Sequence, residues 1–152
     1  MTACLACDLL NGERELVGGR VFETPGWVVE HCIGPLGVGT LLLKTRRHCL
    51  HVGELHADEA AELGPLLART ARCVQELGQA DQVYTCLWSH AGWTAGHIHF
   101  VVQPVRDDWR DRFTNPGPSL QSEMFLAAQP LPRAEVEAFC ERSRAWFIHA
   151  ER

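Results

Sequence analysis

The sequence predicts an α+β domain built on a mainly antiparallel five-stranded sheet, with one long crossover helix and a C-terminal helix. Three observations carry this expectation. Five short runs rich in Val, Leu, Phe, Tyr and Trp are bounded by Gly and Pro turns. A single long stretch with helical periodicity separates the third run from the fourth. The runs thus cluster around one crossover rather than alternating with helices, as they would in a doubly wound sheet.

The first two strands are expected near Arg20–Glu23 and Trp27–Cys32, joined by the tight-turn signal Thr24-Pro25-Gly26. The loop IGPLGVG leads to the third, Gly39–Thr45. The helix, Ala57 to Gln79, sets Leu63, Leu66, Leu67, Thr70, Val74 and Leu77 on one face, with Glu62, Arg69, Arg72 and Glu76 around it. Pro65 is awkward there, because an interior proline removes a hydrogen bond and tends to kink the helix. The last two strands are Gln82–Trp88 and His97–Gln103. RDRFTNPGPSLQSEMF then reads as an irregular loop or lid with a short helical piece, before a second helix over Arg133–Phe147.

The chain of 152 residues, 46% hydrophobic and 22% charged, fits one domain, with a core over about residues 1–105 and a C-terminal loop and helix over about 106–152. A net charge of −5 and a pI near 5.9 give no general affinity for nucleic-acid backbone, although a small phosphate ligand remains possible locally. MTACLACDLL has neither a basic n-region nor a long apolar stretch, so no signal peptide or membrane span is expected. Seven cysteines, an odd number, in a chain without an export signal point to a reducing, cytoplasmic setting rather than a disulfide framework.

GHIHFVVQP, residues 96–104, carries the strongest chemical signal. Side chains two apart along a strand share a face. His97, His99, Val101 and Gln103 then lie on one side, and Ile98, Phe100 and Val102 form a core face on the other. Two half-buried structural histidines are the bland alternative. A pair on one face, preceded by a Gly-rich loop, favours a site. In that loop, SHAGWTAG, small residues such as Gly92 let backbone approach a ligand, and the Thr94 hydroxyl can hold a phosphate oxygen. The loop equally suits an ordinary hairpin. Trp88 and Trp93 flank it as a candidate base-stacking wall, or as core or lid packing. Arg46 and Arg47 read as a solvated edge.

Cys4-Leu5-Ala6-Cys7 is a weak signal on its own, equally readable as two small buried side chains. A thioredoxin-like role needs a preceding strand, which the sequence does not offer. Zinc needs two more ligands. The candidates are His31, His48, His51, His56, His90, His97 and His99, with His48 placed at a strand end from which it can reach a neighbouring segment.

These motifs resemble the histidine triad (HIT) superfamily, whose members share a His-x-His-x-His strand with apolar x. CLACDLLNGE resembles its zinc-type opening, GPLGVGTLLLKTRRH its loop, third strand and following histidine, HVGELHADEAAELGPLL its crossover helix, and AGWTAGHIHFVVQP its catalytic loop and strand. From about Arg106 onward the resemblance is weak. It implies His99 as the nucleophile, Thr94 as a phosphate contact, and a structural zinc held by Cys4, Cys7, His48 and His97. Gly92, Trp93 and Gln103 are the further substrate contacts expected. Val101 occupies the third histidine position, making this a degenerate triad. Cys32 stands at the family's acidic ribose contact, Cys86 at its loop asparagine, and Trp93 at its loop glutamine. The transferase branch places glutamine at the third position, and Gln103 lies on the correct face but two residues later. The implied function is hydrolysis or transfer of a nucleotidyl or phosphoryl group through a covalent histidine intermediate, on a small nucleotide or phosphorylated substrate. The implied assembly is a two-fold homodimer. A silent zinc-stabilised nucleotide- or phosphate-binding protein and a thiol redox protein using Cys4 and Cys7 are the alternatives.

Overall fold

The computed structural model describes residues 4–91 and 93–150; the expected contact Gly92 lies outside them. Helix α1 spans Leu5–Asn11, followed by strands β1 (Arg20–Glu23), β2 (Trp27–His31) and β3 (Leu41–Thr45). Helix α2 (Ala57–Gly78) crosses to β4 (Gln82–Leu87). A small hairpin, β5 (His90–Ala91) and β6 (Thr94–Ala95), precedes β7 (His99–Val105). Helices α3 (Pro118–Ala127) and α4 (Arg133–His149) close the chain.

The main sheet has the order β1-β2-β3-β7-β4, and every pairing is antiparallel. The α+β expectation holds, with its five strands, crossover helix and C-terminal helix. The additions are α1, α3 as an ordered helix, and the β5–β6 hairpin. The expected start of the last strand at His97 moves to His99. The β3–β7 ladder ends at Lys44↔His99, and the chain bends after Thr45, so Ile98 N–H donates to the Cys49 carbonyl instead.

One sheet face is dry. Trp27, Val29, Leu41, Leu43 and Val102 pack with Leu66, Cys73 and Val74 of α2 and with Val136, Phe139 and Phe147 of α4. The expected apolar stripe of α2 is the buried one. Pro65 lies within an unbroken α2 on its exposed side, where water can serve the carbonyl left without its amide partner. Phe147 stacks on Phe22 at 4.7 Å, and the Arg69 guanidinium lies over both rings.

The opposite face holds a second core of Cys32, Leu36, Val101, Trp109, Leu120 and Met124. Trp109, from the 3-10 turn Asp107–Asp111, lies on the backbone of Gly37. Gly37 has φ +91°, and a Cβ there would come within 2.6 Å of the indole, so only glycine permits this approach. The segment read as a loop or lid is therefore packed down over much of the sheet face that also carries His99.

Candidate functional site

Cys4 and Cys7 are placed by α1, His48 by the bend after β3, and His97 by the residues that lead into β7. Their ligand atoms all lie within 4.8 Å of one another. Cys7 Sγ is 3.3 Å from His48 Nδ1 and 3.6 Å from His97 Nδ1, and Cys4 Sγ is 3.8 Å from His97 Nδ1. A tetrahedral zinc with bonds of about 2.0–2.3 Å needs ligand atoms roughly 3.3–3.8 Å apart, a range these three separations match, and two thiols with two imidazoles are a zinc donor set. These four residues, separated by up to 93 positions, are the set that the motif resemblance implied.

His97 points Nδ1 into the cysteine pair. It is 5% exposed, and Nε2–H donates to the Thr45 carbonyl at 2.9 Å, leaving the Nδ1 lone pair toward the cysteines. A carbonyl behind a ligating imidazole fixes its tautomer and ring orientation. Burial lowers the His97 pKa to about 4, so the ring is neutral at pH 7. Burial and the neighbouring Cys4 push the Cys7 thiol up to about 11. A bound dication reverses that preference, because a coordinating thiol is deprotonated outright.

His99 is half-buried at the start of β7. Its Nδ1–H donates to the His97 carbonyl at 3.0 Å, which leaves Nε2 as the ring nitrogen outside that bond. The two histidines thus divide: the side chain of His97 belongs to the cysteine cluster, and its carbonyl sets the tautomer of His99.

Other expected contacts distribute differently. Thr94 and Trp93 are exposed on the β5–β6 hairpin, with Trp93 at its tip. Gln103 lies in the interior. Its amide nitrogen donates to the Leu36 carbonyl at 3.0 Å, and its oxygen accepts from Gln121 of α3 at 2.9 Å, so both groups are committed inside the protein. Cys32 and Val101 are sealed in the second core beneath α3. Cys86 meets Gln121, whose Nε2 lies 3.2 Å from its sulfur. Arg47 departs from the solvated-edge reading. It makes a two-pronged ion pair with Glu59 in the first turn of α2, both contacts at 2.8 Å, and so anchors the segment before His48. His31, a candidate ligand by type, is buried. It donates through Nδ1 to the Cys32 carbonyl and accepts the Gly39 N–H at Nε2, holding the Gly/Pro loop.

Sequence reasoning missed Lys44 and Glu30. Lys44 Nζ lies 2.6 Å from Glu30 Oε1 and donates to the Ala6 carbonyl of α1, and both side chains are 2% exposed. The available signal was a single charge inside each of two apolar strands, LLLKT and WVVEH.

No protein-family model and no curated protein matches the chain. Solved structures do. A histidine triad nucleotide-binding protein from Sulfolobus tokodaii, described as hypothetical, superposes with TM-score 0.74 at 19% identity, over 98% of this chain and 95% of that one. A Hit-like protein from Bartonella henselae, described as involved in cell-cycle regulation, gives 0.72 at 18%, over 96% and 97%. A zinc-bound histidine triad family protein from Mycobacterium smegmatis gives 0.68 at 20%, over 97% of each chain. The chain therefore has the histidine triad fold. Within that fold, the Cys4, Cys7, His48 and His97 group fits the zinc-bearing type.

Proposed function

We propose that the protein hydrolyses or transfers a nucleotidyl or related phosphoryl group through a covalent intermediate on His99. The observation that carries this reading is the Nδ1–H bond from His99 to the His97 carbonyl, which commits Nδ1 and leaves Nε2 outside that bond on a half-buried ring. Nε2 gives its lone pair to phosphorus as the bond from phosphorus to the leaving-group oxygen or nitrogen breaks. The leaving group takes that electron pair and a proton from water. Water or an acceptor alcohol then attacks phosphorus, and Nε2 recovers its lone pair. Thr94 and loop amides are the proposed partners of the phosphoryl oxygens, where charge builds in the transition state.

Zinc is the proposed occupant of the Cys4, Cys7, His48 and His97 group. A closed four-ligand ion supplies folding energy rather than a reactive water, and would tie α1 to the residues that lead into β7. The substrate is a small nucleotide or phosphorylated molecule, the assembly a homodimer and the compartment the cytoplasm. No helix among the described residues is long and apolar enough to cross a membrane.

Val101 favours a second reading, a silent nucleotide- or phosphate-binding protein. It is 3% exposed within an apolar cluster, so the third triad position offers a leaving group no proton. A trapping experiment separates the two. The protein is incubated with adenosine phosphoramidate labelled at phosphorus, quenched in alkali and mapped by mass spectrometry. An acid-labile adduct on His99 supports the covalent reading. Binding without any adduct supports the silent one.

A further inference from the structure

Trp88 is the first residue beyond the β4–β7 ladder, whose last pair is Leu87↔Phe100. The next register position faces His99, and strand alternation puts Trp88 on the His99 side together with Tyr84 and Cys86. On the other flank, Lys44 of β3 is the ladder partner of His99. His99 therefore stands between a lysine strand and a tryptophan.

The two flanks are unlike. The Lys44 ammonium is buried and engaged by Glu30 and Ala6. Trp88 is 47% exposed, yet its one polar atom is satisfied inside: Nε1–H donates to Gln121 Oε1 at 2.9 Å. Gln121 is itself 5% exposed and donates through Nε2 to Gln103 Oε1, and Gln103 donates to the Leu36 carbonyl. A chain of buried amides thus fixes the indole by its edge and leaves only π surface for a ligand. Trp93, the other tryptophan of this region, is fully exposed.

We propose that Trp88 is the stacking platform of the His99 site, selecting phosphorylated ligands that carry a planar aromatic or heteroaromatic ring over those that carry only a sugar or alkyl group. The proposal rests on the reading of His99 as the phosphorus-directed group and deepens it. Trp88 touches no reacting atom in this scheme; it determines specificity. A ring already fixed by Gln121 loses little freedom when a ligand stacks on it.

The test is calorimetric binding of AMP and ribose 5-phosphate to the full chain. Wild type should prefer AMP by at least about fivefold, the low end of measured base–aromatic stacking. Trp88→Ala should reduce that preference below about twofold by weakening AMP alone, and Trp88→Phe should leave it in between. Melting temperature and metal content report whether each variant is folded; should Trp88→Ala not fold, Trp88→Phe decides by the selective loss of AMP affinity. Equal affinities in wild type, no binding of AMP, or an undiminished preference in the folded variants would overturn the proposal. Phosphorus trapping on His99 is scored separately. A labelled His99 with a Trp88-independent preference refutes the platform alone, and a Trp88-dependent preference with no label refutes the covalent step alone.

Discussion

Lys44 and His99 face each other across β3 and β7, yet Lys44 turns its ammonium to Glu30 on β2, 2.6 Å away. A buried ion pair therefore sits in the strand row that presents the candidate nucleophile. Desolvation raises the Glu30 pKa and the Lys44 ammonium opposes it, so the pair is held by mutual compensation. Lys44 also donates to the Ala6 carbonyl, which docks α1 and with it Cys4 and Cys7.

Removing one partner of this pair leaves the other buried and uncompensated. Lys44→Met or Glu30→Leu alone should each destabilise by about 3–5 kcal/mol, and the double variant should recover much of the loss. Urea melts of the four proteins measure this. Additive losses in the double variant would show that the two charges are not coupled.

His99→Ala should abolish phosphoryl transfer while zinc content and melting temperature stay at wild-type values. His97→Ala should instead lose metal and unfold at lower temperature, because its Nδ1 faces the cysteines and its Nε2–H holds Thr45. Metal analysis with activity on both variants checks the division. Zinc loss in His99→Ala would mean the roles are reversed.

One zinc per chain is expected in protein purified without chelators. Cys4→Ala and His48→Ala should lose it, and in wild type Cys4 and Cys7 should resist a thiol reagent until a chelator is added. Metal-free protein with wild-type stability would refute the site.

Activity on simple adenosine phosphoramidates should be weak, and Cys32→Asp should not restore it. Cys32 is 8% exposed among Leu36, Leu120 and Met124, and the Gly34 N–H donates to its sulfur at 3.3 Å, so a carboxylate there would be desolvated with one backbone donor and no counter-charge beside it. The expected result is a lower melting temperature and no gain in rate. A rate gain in a stable Cys32→Asp variant would place this position in an open ligand site.

Arg47 holds the Glu59 carboxyl below its ordinary value of 4.5 through their two-pronged contact. A carboxylate whose folded pKa is depressed contributes stability above its unfolded pKa, and that contribution is lost as pH falls through the folded value. Arg47→Met should therefore be less stable than wild type at pH 7, and the difference should shrink below pH 4.5. Chemical denaturation across pH 2–7 would show it; a constant difference would assign the loss to packing.

Much of the fold was legible because period-two and period-3.6 patterns are local. The strand Arg20–Glu23 and the helix beginning at Ala57 fall where the pattern puts them. Helix α1 was harder to see, since its seven residues bury only Leu9 and lean on Lys44 and the cysteine–histidine group rather than on their own periodicity. The expected contact Gln103 shares a strand face with His99, and alternation alone cannot tell a ligand-facing amide from one covered by a distant helix.

The sequence by itself determined the sheet, the crossover helix and the presence of paired thiols and imidazoles, because these follow from residue type and short-range spacing. Only the tertiary structure brought His48 and His97 to Cys4 and Cys7 in space, and decided which nitrogen of His99 is held by backbone and that α3 seals Cys32, Val101 and Gln103 while fixing Trp88. The physical reason is range. Backbone preference acts over a few residues, whereas ligand distances, tautomers and desolvation depend on atoms up to 93 positions apart that only the folded chain brings together.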